Sequence, residues 1–240
     1  MDEPILTPTE REAINAGRWF SSLSPSLRHD ILRCAKVRRY ADGTLIYATG
    51  DDAHEWLACA KGAVRMSSVN PSGRQTTLTY IEPGVWFGAM STFLEEGRTR
   101  DAHAYGATTL LAVSRDDFRR ILTQHVEFYE ALLRQQAQRI RHIAGQVEDL
   151  NTLPLRARLA KQLLNLSHRY GITSFDTPEE VRIGLPLVQE EIAQLLGASR
   201  QRVNQELKKL ERENCIRLDP AGLVIRDQEA LNAAIHTAAA

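Results

Sequence analysis

"LLGASRQRVNQELKKLE", residues 195–211, has the pattern of two short helices joined by a glycine turn. Gly197 is expected to end the first helix, because only glycine adopts the left-handed backbone at little cost. Ser199 is a suitable N-cap for the second helix. The residues expected to be buried are Ile192, Ala193 and Leu196 on the first helix and Val203, Leu207 and Leu210 on the second. The segment therefore predicts a helix-turn-helix, a motif that places its second helix in a DNA major groove.

The second predicted helix begins with side chains that can hydrogen-bond with base edges and phosphates. Residues 199–217 carry six basic and three acidic side chains, which suits a polyanionic partner. "CIRLDPAGLVI" follows at once and predicts a wing of two strands around a Pro-Ala-Gly turn. We predict sequence-specific binding to double-stranded DNA, through Ser199, Arg200, Gln201, Arg202, Asn204, Gln205 and Lys208.

A long amphipathic helix is predicted upstream, where the hydrophobic period becomes helical from about residue 115. Its apolar stripe, interrupted by Gln136, consists of Leu132, Ile140, Ile143, Val147 and Leu150. Such a stripe either packs on the preceding domain or pairs with its own copy, and the heptad-like spacing favours a homodimer. Pro154 breaks the helix and marks a predicted hinge. A further helix then ends at Gly171, before the polar loop "ITSFDTPEE" and the short strand "VRIGLP".

Residues 37–118 have the pattern of short strands punctuated by glycine turns. The predicted strands lie in "TLIYATG", "EWLACAKGAVRMSSV", "RQTTLTYIEPG" and "AYGATTLLAVS", and "NPSG" at 70–73 is a strong turn signal. This pattern favours a β-barrel or jelly roll, in which Trp86 and Tyr105 are expected to pack. Before it, helical spacing over residues 8–35 predicts a helix capped by Ser24 and begun by Pro25.

Composition narrows the class of protein. The 240 residues are 43% hydrophobic and 25% charged, with zero formal net charge, which argues against coating nucleic acid through bulk charge. No apolar run approaches the roughly 18 residues that span a bilayer, and the acidic start lacks a signal-peptide pattern, so a cytoplasmic protein without a membrane partner is expected. The three cysteines form no CxxC pair, and no P-loop, metal-ligand spacing or nucleophile set indicates an enzyme.

The order of β-barrel, long helix and winged helix-turn-helix resembles the CRP/FNR family of bacterial transcription regulators over about residues 20–227. The most specific matches are "GASRQRVNQELKKLE" and "YADGTLIYATGD…KGAVRMSS…GRQTTLTYIEPGVWFGAMS". The resemblance implies a homodimer that binds a near-palindromic operator and contacts RNA polymerase. The predicted fold class is α+β with two domains: an N-terminal extension (1–19), a cyclic-nucleotide-binding-type barrel or jelly roll (20–124), a dimerisation helix (125–152) and a winged helix-turn-helix domain (153–240).

By the same resemblance, Arg200, Gln201 and Gln205 occupy the three base-reading positions of the recognition helix. The cyclic AMP receptor branch has Arg, Glu and Arg there, so only Arg200 is kept. Glu206 stands where many helix-turn-helices bury an apolar residue, and local packing is therefore expected to differ.

"WFGAMSTFLEEGRTRDA", residues 86–102, corresponds by this resemblance to the loop that binds the cyclic nucleotide in the cyclic AMP receptor branch. The resemblance implies a glutamate at position 89, a serine at 101 and a Thr-Ser pair on the long helix, but this chain has Ala89, Asp101, Ile143 and Ala144. Arg100 matches the phosphate-binding arginine, and Asp101 would repel a phosphate unless it points away or pairs with Arg98 or Arg100. The candidate effector pocket comprises Gly88, Ala89, Met90, Arg98, Arg100, Asp101, Ile143 and Ala144. Binding of cyclic AMP is not expected.

Other ligands and functions stay open at this point. No cofactor is predicted; cyclic di-GMP is an alternative ligand because Arg98 and Arg100 can meet a differently placed phosphate. Haem would need axial ligands from His29, His54, His103, His125, His142, Cys34 or Cys59. The alternative function is a cyclic-nucleotide or cyclic-dinucleotide module that regulates a protein partner.

Overall fold

A computed structural model of the chain describes residues 5–69, 75–173, 179–185, 189–219 and 222–237. Its contacts divide the chain into two compact units, one up to Arg139 and one from Ile140. Within the described residues, no helix has the length and apolar character needed to cross a membrane. The "NPSG" turn and the Pro-Ala pair of the predicted wing turn lie outside these residues.

The first unit combines an antiparallel sheet with helices at both ends of the unit's sequence. Its helices are α1 (Pro8–Ala16), α2 (Arg18–Ser21), α3 (Pro25–Cys34), α4 (Ala89–Leu94) and α5 (Arg115–Gln124), followed by the start of α6 (Glu127–Thr152). Its strands are β1 (Lys36–Tyr40), β2 (Leu45–Tyr47), β3 (Glu55–Val69), β4 (Gln75–Ile81), β5 (Trp86–Phe87) and β6 (Asp101–Ser114). The sheet order is β1-β6-β3-β4, with β2 pairing with β6 and β5 with β3. The predicted strands are confirmed, as is the Ser24 cap, which accepts a hydrogen bond from the Leu27 amide.

Two hydrophobic clusters hold the first unit together. On the helix side of the sheet, the rings of Trp56 and Trp86 lie 4.1 Å apart between α2, α5 and α6, and Trp86 also stacks on Phe20 at 5.5 Å. The second cluster contains Leu57, Cys59, Val64 and Leu110, from the two longest strands. Trp86 therefore packs in the core as predicted, and the rings of Tyr105 and Tyr80 meet edge to face with their centroids 5.0 Å apart.

The second unit contains the rest of α6, then α7 (Leu155–Tyr170), α8 (Gln189–Leu195), α9 (Arg200–Arg212) and α10 (Gln228–Thr237). A four-stranded sheet of order β7-β8-β10-β9 is formed by β7 (Gly171–Thr173), β8 (Val181–Ile183), β9 (Ile216–Asp219) and β10 (Gly222–Ile225). The break at Pro154, the end of α7 before Gly171 and the paired wing strands β9 and β10 are confirmed. The predicted polar loop at 172–180 is partly wrong, because Ile172 and Thr173 pair with β8.

The stripe of α6 differs from its prediction at one residue. Leu132 is only 8% exposed and packs in the first unit's own core, so it is not free to meet a second copy. Leu133, its neighbour, is 72% exposed. The other four predicted residues are exposed on α6: Ile140, Ile143, Val147 and Leu150.

Candidate nucleic-acid interface and effector pocket

The turn between α8 and α9 is built as the sequence predicts. Gly197 takes a left-handed backbone with φ of +60°, and the Ala198 amide donates to the Ala193 carbonyl at 3.0 Å, which closes the end of α8. The Ser199 hydroxyl accepts from the Arg202 amide at 3.4 Å and caps α9. All six residues predicted to be buried are at most 5% exposed: Ile192, Ala193, Leu196, Val203, Leu207 and Leu210. Both helices therefore present fixed outer faces.

The outer face of α9 carries cations and amides that no other group among the described residues engages. Ser199 and the next three residues of α9 are exposed, and so are Gln205 and Lys208. Within the described part of the chain, five side chains on this face make neither a hydrogen bond nor an ion pair: Arg200, Gln201, Arg202, Gln205 and Lys208. Asn204 lies half-buried beside them. Such a face can donate to phosphates and base edges without first breaking an internal contact.

Glu206 is the acid that stands at the expected apolar position. Its side chain is 16% exposed, and one carboxylate oxygen accepts from Lys209 Nζ at 2.8 Å. The other oxygen is buried without a hydrogen-bond partner among the described residues. The expected difference in packing is present: an ion pair along one side of α9 takes the place of a buried apolar side chain.

The arginines of the wing sheet are already paired with acids. Arg217 donates to Asp219 at 3.0 Å and to Glu180 at 3.1 Å. Arg226 also donates to Glu180, at 3.1 Å, and Arg182 lies 3.7 Å from Asp219. The wing sheet therefore neutralises much of its own charge, whereas the basic side chains at the start of α9 have no acidic partner in the described part of the chain.

The loop of residues 86–102 is ordered around Arg98, whose side chain turns into the protein. Arg98 is only 5% exposed; it donates to the Gly88 carbonyl at 3.4 Å and to the Glu55 carbonyl, and its guanidinium lies 4.4 Å from the centre of the Tyr47 ring. Gly88 has a φ of +82°, a conformation that favours glycine, and a Cβ there would lie 2.5 Å from Arg98 Nη1, so any other residue would displace the guanidinium. The expectation that Arg98 offers its charge within an open loop is wrong.

Asp101 pairs with neither arginine of the loop. Its Oδ1 accepts from the Thr49 amide at 2.7 Å and from the Thr49 hydroxyl at 2.8 Å, and these bonds hold the pKa of the carboxyl below its usual value. Arg100 is exposed and donates to the Thr99 carbonyl at 2.7 Å.

The remaining candidate pocket residues are not polar anchors. Ala89 is buried in the hydrophobic cluster on the helix side of the sheet, and Met90 is 40% exposed on α4. Ile143 and Ala144 are exposed on α6. The sequence predicts a loop here, but residues 89–94 form the helix α4.

Tyr47 and Arg139 are site residues that sequence reasoning missed. Arg139, on α6, donates to the Trp86 carbonyl at 3.3 Å. Burial lowers the pKa of Arg139, which the neighbouring Tyr47 partly counteracts. Tyr47 thus lies near two guanidiniums, those of Arg98 and Arg139. The position of Arg139, one turn before Ile143 on α6, was the available signal.

Two of the histidines considered as haem ligands, His54 and His125, lie beside carboxylates. His125 contacts Asp30 at 2.9 Å and Glu127 at 3.2 Å, and His54 lies 3.6 Å from Asp52. Across the described residues, no three His, Cys, Asp or Glu side chains are grouped as a metal site.

Comparison with known proteins identifies both units. Residues 37–125 match the family model of the cyclic nucleotide-binding domain, and residues 157–234 match that of the Crp-like helix-turn-helix domain. A CRP-like cAMP-activated global transcriptional regulator of Mycobacterium tuberculosis is 31% identical over 212 residues, which cover 88% of this chain and 93% of the relative. The chain belongs to the CRP/FNR family of transcription regulators. The chain is therefore a CRP-family DNA-binding transcription regulator.

Two further relatives extend the family match over nearly the whole chain. The cAMP-activated global transcriptional regulator CRP of Haemophilus influenzae is 28% identical over 225 residues, 93% of this chain and 95% of the relative. The crystal structure of a CRP-family transcriptional regulator from Thermus thermophilus matches with a TM-score of 0.69 at 25% identity, and covers 85% of this chain and 100% of that one. The CRP/FNR-family protein thus has the family's two-domain fold.

Proposed function

We propose that this CRP/FNR-family protein is a homodimer that binds a near-palindromic operator through α9 and that is not controlled by cyclic AMP. The observation that carries the proposal is the exposed face of α9, where five polar or basic side chains have no partner among the described residues. Two such helices in a dimer would read half-sites about 10 base pairs apart. By family resemblance, the bound dimer contacts RNA polymerase.

Exposed apolar residues on α6 support the dimer. Spacings of four and three residues alternate along its stripe, which consists of Tyr129, Leu133, Gln136, Ile140, Ile143, Val147 and Leu150. The six apolar members are each between 47% and 72% exposed. A stripe of this length, left in water, marks an interaction site, and its 4-3 spacing is that of a two-helix coiled coil. The polar Gln136 would then set the register of the pair.

Four residues support the loss of control by cyclic AMP. By resemblance to the cyclic AMP receptor, Ala89 lacks the acceptor for the ribose, Ile143 and Ala144 lack the hydroxyls for the adenine, and Asp101 replaces a serine near the phosphate. The Arg98 guanidinium already donates hydrogen bonds to the Gly88 and Glu55 carbonyls, so it stabilises the loop instead of facing a ligand. The relatives from M. tuberculosis and H. influenzae are named as cAMP-activated, so control by cyclic AMP is the alternative that a titration must exclude.

Selection of bound sequences from random duplexes by the full-length protein tests the proposal. A two-fold motif with half-sites one helical turn apart is expected, and its affinity should not change when cyclic AMP is added. A single, non-repeated half-site would contradict the dimer, and the absence of any enriched motif would contradict sequence-specific binding. Cyclic di-GMP in the same assay tests the other ligand, because Arg100 remains exposed.

A further inference from the structure

Two arginines in the first turn of α7 contact the ends of both helices of the helix-turn-helix. Arg156 donates to the Glu213 carboxylate, just beyond the end of α9. Arg158 Nη1 donates to the Leu196 carbonyl at 2.9 Å, just beyond the end of α8. Both arginines follow Pro154, the break between α6 and α7. The chain therefore has two polar contacts between the hinge region and the DNA-binding motif.

The Arg158 contact satisfies a backbone carbonyl that a helix end leaves open, whereas the Arg156 contact is an ion pair with a side-chain carboxylate. The last carbonyls of a helix have no partner within it and carry partial negative charge, so Arg158 complements the end of α8. Glu213 caps α9, and the Arg156 guanidinium holds the pKa of Glu213 below its usual value, while the Glu213 carboxylate raises the pKa of Arg156. Arg156 is also close enough to Glu206 to interact electrostatically, two turns back along α9. The Arg156 side chain therefore lies on the side of α9 that carries Glu206 and ends at Glu213.

A third contact fixes α7 to the helix before it. Lys161 Nζ donates to Asp149 at 2.6 Å, and Asp149 lies in the last turn of α6. This ion pair crosses the break at Pro154. Helix α7 thus carries, within two turns, one contact to α6, one to α8 and one to α9.

We propose that Arg156 and Arg158 are positioning residues: they clamp the helix-turn-helix to α7, so that the recognition helix keeps a fixed orientation relative to the end of α6. The proposal rests on the proposed function, because its effect on affinity presupposes DNA binding by α9. An exposed ion pair contributes little to stability, and Arg156 and Glu213 are 27% and 49% exposed. The effect is therefore expected in DNA binding rather than in folding, since two recognition helices must fit one operator together.

The sign of the effect on DNA binding separates the clamp from bulk electrostatics. Glu213→Gln removes a negative charge, which by charge alone would strengthen binding to DNA. Loss of the clamp predicts the opposite: roughly fivefold to twentyfold weaker binding of the full-length protein to its operator, both half-sites counted. Glu229→Gln is the matched control, because Glu229 is an exposed acid of the same unit, on α10, and takes no part in the contacts of Arg156 or Arg158.

A double-mutant cycle tests the pair directly. Arg156→Gln and Glu213→Gln should each weaken binding, and the double variant should bind no worse than either single one, because both remove the same contact. Arg156→Lys, which keeps the charge, should stay within about threefold of wild type. If Glu213→Gln binds as tightly as Glu229→Gln, or if the two single losses simply add, the clamp does not position the recognition helix.

Hydrogen exchange of the DNA-free protein provides a readout that does not need an operator. Without the Arg156–Glu213 contact, the amides at the end of α9 should exchange roughly twofold to fivefold faster, while those of β3 in the first unit stay unchanged. Arg158→Met, which keeps the apolar stem, should do the same at Gly197 and Ala198. Unchanged exchange in both variants overturns the clamp even if no operator is found, whereas faster exchange without any DNA binding by the wild type would contradict only the proposed function.

Discussion

Glu10 is a carboxylate buried in the first unit, where it fastens α1 to the sheet. It is 2% exposed and accepts from Arg39 Nη1 at 2.9 Å, from the Thr109 hydroxyl at 2.7 Å and from the Thr7 amide at 2.9 Å. Burial alone would raise the pKa of Glu10, but these hydrogen bonds outweigh it and lower the pKa to about 2. The ionised form is therefore the one that stabilises the fold.

Glu10→Gln should lower the free energy of unfolding by about 1–3 kcal/mol at neutral pH, because Arg39 and Thr109 lose a charged acceptor. The pKa of Glu10 is lower in the folded state than the ordinary 4.5, so its contribution is complete above that pH and disappears as the pH falls towards 2. Urea unfolding of both proteins across this range measures the difference. Glu12→Gln, an exposed acid of the same helix, should change stability by less than about 0.5 kcal/mol. A Glu10→Gln difference that persists at the acid end would refute this linkage.

Arg200 is the residue on which the proposed base reading by α9 depends most. Its exposed guanidinium, beside the Ser199 cap, fits guanine O6 and N7, so Arg200→Ala should cost about 1–3 kcal/mol per half-site and erase the preference for one guanine. Lys208→Ala, about two turns farther along α9, should weaken all sequences alike and flatten the salt dependence. Selection from random duplexes checks both variants. If the Arg200→Ala variant selects the same motif with the same guanine preference, Arg200 does not read that base.

Residues whose contacts are local in the sequence were predictable, and residues whose partners are distant in the sequence were not. Gly197 and Ser199 were predictable, because a helix end and a helix cap depend on neighbours within six residues. Arg98 was not, because its partners Tyr47 and Glu55 lie 51 and 43 residues away in the chain, and local sequence does not tell a buried guanidinium from an exposed one. The same holds for Asp101, whose partner Thr49 lies 52 residues away.

At the scale of elements, the register of α6 is the instructive case. Successive residues of a helix are rotated by about 100°, so positions seven apart lie within about 20° of one another and positions eight apart differ by about 80°. Leu133 is therefore on the stripe of Ile140, and Leu132 turns towards the core. The period was predictable, but the choice between two adjacent leucines needed the sheet against which Leu132 packs. Helix α4, at six residues, was too short to show a period at all.

Ile143→Asp should convert the proposed dimer to monomers and abolish operator binding, because it places a charge at the centre of the exposed stripe on α6. Gln138→Asp is the matched control: Gln138 is exposed and lies about half a turn away from the stripe on the same helix. Light scattering of the two variants measures the mass. Dimers of both variants would show that this stripe is not the interface.

At the scale of the whole molecule, the change of hydrophobic period from two to 3.6 separated the sheet of the first unit from the helices that follow it. The helix-turn-helix was predictable as well, because the glycine turn, the serine cap and the buried positions that define it lie close together in the sequence. The effector is harder to predict from the sequence. The resemblance compares single aligned positions, whereas the ligand that a pocket binds depends on side chains that are distant in the sequence and meet only in the fold. Tyr47 and Arg139 illustrate this: Tyr47 lies near both Arg98 and Arg139, and neither Tyr47 nor Arg139 stood out in the sequence.

Cyclic AMP should bind the full-length protein no more tightly than about 100 μM and leave its affinity for the operator unchanged. The hydrogen bonds missing at Ala89, Ile143 and Ala144 are worth about 1 kcal/mol each, and together they amount to roughly two decades of affinity. Calorimetry measures binding, and fluorescence anisotropy with labelled operator measures the coupling between ligand and DNA. The variant that combines Asp101→Ser, Ile143→Thr and Ala144→Ser restores the residue types that the resemblance implies and should gain at least about tenfold in affinity. Sub-micromolar binding by the wild type would mean that other residues of the first unit supply these contacts and that the protein responds to cyclic AMP after all.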